Sequence, residues 1–275
     1  MTGLTGWGLA AGDELVPGRV VHRLLGGGGS YEAYLVFDDG LLHAAVAKVL
    51  RPGRVRDPVA RRAMTREAAV LDTVRHPVIV RGFDAVLDGD RPHLLLEHLE
   101  GPRLSSLVRA HGPLALEQLL PLALELASAL HYLAGRELVH LDVKPGNVVM
   151  GAPARLIDLS VARTVEEAAA LRHVVGTDGY LSPEQAAPAG GRVGPAADVY
   201  GLGATLFHAS TGRAPAPDGG VPEGVPWAFA ELVLACLDPE PAARPTPAEV
   251  AAAVEPLIAM LPRPVLAGFR PQRSR

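Results

Sequence analysis

The sequence predicts an α+β chain of two unequal parts: a small antiparallel sheet with one helix, then a larger, mainly helical part. Three observations carry this. Short apolar runs alternate with glycine through residues 18–50. A second pair of such runs flanks Asp88-Gly89. Beyond Gly101 the period changes, and Leu119, Leu122, Leu126, Leu130 and Leu133 recur at helical spacing.

Taken in order, "RVVHRLL", "AYLVFDD" and "LLHAAVAKVL" read as strands joined by tight turns, one marked by Asp39-Gly40. In "RDPVARRAMTREAAVLDTVRHP", Asp57 suits a helix N-cap, Pro58 suits the first helical position, and His76-Pro77 marks the end. "PVIVRGFDAVLDGDRPHLLLEHLEG" supplies two more strands. In the second part, the leucine-rich helix closes at Gly135, "ARLIDLSVAR" holds a short strand ending in an acid, and "AADVYGLGATLFHASTG" is a buried helix capped at Gly212. "PWAFAELVLACLDPEP" and "TPAEVAAAVEPLIAML" are two further helices, the latter capped by Thr246. No internal repeat is present.

The bulk composition excludes several classes. The 275 residues are 48% hydrophobic and 20% charged, as in a folded globular chain. A net charge of −4 argues against nucleic acid as a partner, because a strongly basic face supplies most of that affinity. A single cysteine, Cys236, rules out a disulfide within the chain and points to a reducing compartment. The first residues lack the charged head and apolar run of a signal peptide, and no stretch is long enough to span a membrane. The expected location is cytoplasmic.

Several residues invite a chemical reading, each beside a plainer one. The hairpin "LLGGGGSYEAYLV" lets a backbone approach phosphate oxygens, or is simply a flexible turn. A dinucleotide-type loop would open a helix, whereas here a strand follows. Lys48, inside an apolar strand, is either an edge lysine reaching water or one paired with an acid beside a ligand. Glu67, 19 residues on, is either that acid or a solvated helix-face residue. In "VHLDVKPGN", Asp142, Lys144 and Asn147 form a polar turn or the reacting edge of a phosphate site, and His140 by default is a hydrogen-bonded core histidine. Asp158 closes an apolar strand as a hard-cation ligand or as a cap. Together, a glycine hairpin, strand lysine, helix glutamate, HxDxKxxN loop and strand-end aspartate follow the order of a phosphoryl-transfer site.

On these motifs, residues 15–262 resemble the eukaryotic-like (Hanks-type) bacterial serine/threonine protein kinases. "HPVIV" is similar to the link after the family's N-lobe helix, and "LLLEHLEG" to its last strand and hinge, with Leu96 as gatekeeper. "GTDGYLSPEQ", "DVYGLG" and "ARPTPAEV" resemble the end of the activation segment, the central helix and the closing motif, where Arg244 would pair with Glu184. Small-molecule kinases of the aminoglycoside type usually lack these last three, and the Lys-Pro after Asp142 favours Ser/Thr over Tyr. The resemblance implies a bilobal protein-kinase-like fold: leader 1–14, N-lobe 15–100, C-lobe 101–262 and a basic tail 263–275. It implies ATP and Mg²⁺ as cofactors. Gly26, Gly28, Lys48, Glu97, Leu99 and Val149 would face the nucleotide. Glu67 would hold Lys48 on the α- and β-phosphates, and Asn147 and Asp158 would bind metal. Asp142 would take the substrate hydroxyl proton, with Lys144 beside the γ-phosphoryl group. Implied partners are protein substrates and a regulatory protein.

The departures from that pattern are informative. Tyr31 stands where the family has its third loop glycine, Ala33 where it has Val, and Val46 where it has Ala. Asp158-Leu159-Ser160 replaces Asp-Phe-Gly, so a positive φ at Ser160 would carry a steric penalty. Leu141 replaces the arginine that normally binds an activation-segment phosphate, and no hydroxyl lies between Val165 and Gly176. Thr177 matches the family's structural threonine. The resemblance thus implies a serine/threonine kinase independent of activation-loop phosphorylation, with a pseudokinase scaffold as the alternative. Against the family, which usually fits an extra helix here, the short link "RAPAPDGGVPEGVP" predicts one missing or reduced to a loop.

Overall fold

In a computed structural model, which describes residues 5–188, 192–215, 220 and 224–261, the first lobe is a six-stranded antiparallel sheet. Its strands are β1 (Glu14–Val16), β2 (Arg19–Gly27), β3 (Tyr31–Asp38), β4 (His43–Leu50), β5 (Gly82–Val86) and β6 (His93–Glu97), in spatial order β1-β2-β3-β4-β6-β5. Helix α1 (Pro58–Thr73) covers one face. Asp57 caps it, accepting from the N–H groups of Val59 at 2.8 Å and Ala60 at 3.4 Å. It ends before His76-Pro77, because Val74 is already extended. Its buried stripe is Ala60, Met64, Glu67, Val70 and Leu71, so Glu67 points into the protein rather than into solvent.

Residues 5–14 lie against the sheet. Trp7 and Leu9 pack on an apolar cluster of the opposite sheet face, built around Leu15, Tyr34 and Val36. The Trp7 indole N–H donates to the Leu50 carbonyl at 2.8 Å. The Arg91 guanidinium lies 5.1 Å from the Trp7 ring centre.

The second lobe contains α2 (Leu104–His111), α3 (Leu116–Ala134), β7 (Leu138–Val139), β8 (Val148–Val149), β9 (Arg155–Leu156), β10 (Arg163–Thr164), α4 (Val165–Ala169), α5 (Pro183–Ala186), α6 (Pro195–Thr211), α7 (Trp227–Cys236) and α8 (Pro247–Ala259). Helices α3 and α6 form the buried centre, and α8 lies along α3. One apolar core runs from Leu50 and Met64 through Ile79 and Leu156 into these helices, joining the lobes behind the cleft. Gly212 takes the left-handed conformation (φ 80°) expected of a helix stop. Gly135 does not: its φ is −65°, and the positive φ falls at Glu137 instead. Gly201 lets α6 pass beneath the loop after β7, since a Cβ there would sit 2.9 Å from the Val143 carbonyl oxygen. The described residues of the 213–226 link contain no helix; its other residues and the tail 263–275 lie outside the described residues. No helix among the described residues is long and apolar enough to cross a membrane.

Candidate active site

A cleft of about 820 Å³ separates the lobes. Ala33, Val46, Leu96, Leu99 and Val149 make one end apolar, while Lys48, Lys144, Asn147 and Asp158 make the other polar and charged. Gly26 and Gly28 line the same space, and Gly26 has φ 146°, a conformation open to glycine alone. Glu97 contributes differently from a side-chain contact. Its carboxylate turns away to the guanidinium of Arg155, with Nη1 3.2 Å from Oε1, so only its backbone is left for the cleft.

Strand β4 directs Lys48 inward, opposite Ala33 on one side and Leu94 on the other. The Lys48 ammonium donates to both Glu67 oxygens, at 2.8 and 2.7 Å, and to Asp158 Oδ1 at 2.8 Å. The strand lysine and the helix glutamate are thus a buried pair, not two surface residues. Burial alone would disfavour the charged lysine, but the two carboxylates outweigh it and raise its pKa. Burial likewise pushes Asp158 up, and Lys48 with the Ser160 N–H outweighs it, holding that carboxyl well below the usual range. The Tyr31 ring covers the ammonium, its centre 4.7 Å away, and its hydroxyl donates to the Ala60 carbonyl at 3.4 Å. Burial pushes the Tyr31 phenol up to about 12, so it stays a neutral donor.

Positive φ occurs at Asp158 (φ 68°) and not at Ser160, so serine in place of glycine meets no left-handed strain here. Aspartate tolerates that region better than most residues. Leu159 is fully buried in the main core.

Below the cleft, Asp198 in the first turn of α6 accepts the N–H groups of His140 and Leu141, both at 2.7 Å. That fixes the bend at Leu141, whose φ is 67°. Asp142 follows, and four contacts orient it. Lys144 Nζ donates to Oδ2 at 2.7 Å, and Thr177 Oγ1 donates to Oδ1 at 2.7 Å. Asn147 Nδ2 donates to Oδ2 and to the Asp142 carbonyl, both at 2.9 Å, which leaves Asn147 Oδ1 as its acceptor end. Lys144 also reaches Thr177. Asp198 opens the motif DVYGLG, but no spacing announced this contact, since its partners lie 57 and 58 residues away.

Between its charged anchors at Asp158, Thr177 and Glu184, the activation segment packs on Leu141 through apolar contacts. Leu141 is buried in an apolar cluster with Val139, Ala168, Leu171, Val175, Val193 and Ala197. Gln185 Nε2 ties the two sides, donating to the Leu141 carbonyl at 2.9 Å and the Val175 carbonyl at 3.0 Å. Glu184 forms the expected pair with Arg244.

The protein kinase domain family matches residues 19–254. Over 263 residues the chain is 35% identical to the probable serine/threonine-protein kinase PkwA of Thermomonospora curvata, covering 89% of this chain and 35% of that protein. It is 32% identical to the serine/threonine-protein kinase PknB of Mycobacterium leprae over 70% of this chain and 32% of that protein. It is 36% identical to the serine/threonine-protein kinase pkn2 of Myxococcus xanthus over 75% of this chain and 26% of that protein. The chain therefore spans about a third or less of the length of these relatives. With lobes, cleft and charged cluster in the family's arrangement, the chain belongs to the protein kinase family, among its bacterial serine/threonine members.

Proposed function

We propose that the chain transfers the γ-phosphoryl group of ATP to serine or threonine hydroxyls of proteins, with Mg²⁺. The observation that carries this is the oriented Asp142. Its carboxylate is held by Lys144, Thr177 and Asn147 at 2.7–2.9 Å, across the cleft floor from the Lys48–Glu67–Asp158 triad. Phosphoryl transfer asks mainly for positioning and neutralised charge. In this reading the adenine lies between Ala33, Val46 and Val149, against the backbone of Glu97 to Leu99. Lys48 takes the α- and β-phosphates, Lys144 neutralises the γ-phosphoryl oxygens, and Asp142 accepts the proton of the attacking hydroxyl.

The residues fit a magnesium ion. Asp158 is kept ionised, Asn147 presents an amide oxygen, and both line the cleft. One carboxylate and one amide suit a cation that takes its other ligands from phosphates and water. When bound, Mg²⁺ supplies charge neutralisation across the phosphates. Residues 15–100 and 101–262 would be the working lobes.

The chain needs no activation-loop phosphate in this reading. The Leu141 cluster supplies apolar packing where an arginine–phosphate pair would otherwise order the segment. Protein substrates and a regulatory partner belong to the same proposal.

The test is γ-phosphate transfer to a generic basic protein, before and after phosphatase treatment. The wild type should transfer in both states. Asp142→Asn should fall by about 10²–10⁴-fold and Lys48→Met by on the order of 10²-fold or more. Mg·ATP binding without any transfer would instead favour a pseudokinase scaffold. Activity abolished by phosphatase would overturn the independence claim.

A further inference from the structure

The glycine hairpin has no side chain of its own to hold its tip. At Gly28 and Gly29 an added Cβ would meet nothing within 4 Å. Such a loop loses much entropy when ordered. Its anchor comes from the far end of β4. The Arg51 backbone N–H donates to the Ser30 carbonyl at 2.9 Å, and its side-chain Nε donates to the Gly28 carbonyl at 2.7 Å. Its Nη1 reaches Glu32 Oε1 at 3.1 Å. The guanidinium packs closely against the loop, since a Cβ at Gly27 would lie 3.1 Å from Arg51 Nη2 and 2.5 Å from the Tyr31 carbonyl oxygen.

Glu32 is itself braced. It is buried, and its Oε2 accepts from the Trp7 N–H at 3.0 Å and the Tyr34 hydroxyl at 3.0 Å. A continuous chain of contacts therefore runs from the N-terminal stretch through Glu32 and Arg51 to the hairpin tip. The peptide bond is planar and trans, so fixing the Gly28 C=O on Arg51 turns the Gly29 N–H the opposite way. Among the described residues that N–H has no partner, so it can donate to an anionic oxygen.

We infer that Arg51 is a positioning residue for the nucleotide phosphates, acting through the glycine hairpin, with Trp7 and Glu32 as its brace. The inference rests on the proposed ATP site. Arg51 does not line the cleft, so its effect on ligand is carried by the loop. The effect is selective: the apolar end of the cleft is built from residues that Arg51 does not touch, so affinity for the phosphates changes and affinity for the nucleoside does not.

Two measurements on the full chain test this, using wild type, Arg51→Ala, Arg51→Lys and Glu32→Gln. The first is amide hydrogen exchange of residues 26–31 without ligand. The second is calorimetric affinity for adenosine, ADP and ATP with Mg²⁺. Exchange should quicken in Arg51→Ala, ADP and ATP should bind about tenfold more weakly, and adenosine should stay within about twofold. Arg51→Lys should recover only part, because an ammonium lacks the fork that spans Gly28 and Glu32. Glu32→Gln, which keeps an acceptor for Trp7 and Tyr34, should fall between wild type and Arg51→Ala. Unchanged exchange in Arg51→Ala overturns the inference. So does an equal loss for all three ligands, which would mark general loosening. A wild type that binds none of them removes the ATP reading, and this inference falls with it.

Discussion

Arg244 and Glu184, 60 residues apart, meet in a two-point ion pair inside the second lobe, with contacts of 2.7 and 2.8 Å. Their side chains are 0% and 6% exposed, so water screens the pair little. Arg244 also donates to the carbonyls of Ala196 at 2.8 Å and Asp238 at 2.7 Å. One guanidinium thus ties the end of the activation segment to the start of α6 and to the loop before α8. Removing one partner leaves an uncompensated buried charge. Glu184→Gln or Arg244→Met should each cost about 3–5 kcal/mol in urea unfolding. The double variant should cost clearly less than the sum, because no lone charge remains.

The same pair gives stability a pH dependence. Burial pushes the Glu184 carboxyl up, but its bond to Arg244 outweighs this and holds it below the ordinary range. A depressed carboxylate stabilises the fold above its unfolded pKa, about 4.3 for glutamate, and that contribution is lost as the pH falls through the folded value. The urea midpoint should fall on acidification from about pH 6 to about pH 3, and Glu184→Gln should flatten part of that slope. An unchanged slope in the variant would assign the acid sensitivity elsewhere.

Cys236 is buried where α7 crosses α6, and burial pushes its thiol up to about 12. A Cβ on Gly203 would lie 2.7 Å from the Cys236 Cβ, so the crossing depends on that glycine. A thiol reagent at neutral pH should leave the native chain unmodified and titrate one thiol after unfolding. Gly203→Val should cost about 1–3 kcal/mol by overpacking and make the thiol reactive under native conditions.

Leu141 should be a stability residue for the activation segment. Truncation to Ala removes apolar contacts from its cluster with Ala168, Leu171 and Val175, at a cost of about 2–5 kcal/mol. Limited proteolysis should then cut within residues 165–176, which the wild type protects. Equal protection in both chains would mean that the Gln185 contacts alone hold the segment.

Much of this architecture was legible because its chemistry follows a local order. Lys48, Asp142, Lys144, Asn147 and Asp158 each sit at a readable place in a short motif; all but Asp142 line one cleft, and Asp142 is bonded to Lys144 and Asn147 beside it. The burial of Glu67 was legible too, three residues from Met64 and four from Leu71 on a single helical stripe. Helix α2 had a weaker signal, Leu104, Leu107 and Val108 at spacings of three and four, hidden behind Gly101-Pro102. What the sequence could not reveal are long-range contacts that no motif pairs, unlike that of Glu184 with Arg244. Asp198 beneath Leu141 is one, and Trp7 on Glu32 is another. Neither has a periodicity or spacing to announce it, because both partners are ordinary residues until the fold brings them together. The cap at Gly135 failed for the opposite reason: a local rule was present, but the chain turned two residues later, at Glu137.

The apolar packing of Leu141 also sets which surroundings the site feels. A latch of arginine and phosphate weakens as salt screens it. A latch of Leu141, Leu171 and Val175 is not screened by salt in that way, and it weakens on cooling. The Leu141 contribution to order in this segment is therefore expected to weaken on cooling, beside the ion pair of Glu184 with Arg244, which salt screens little because it is buried.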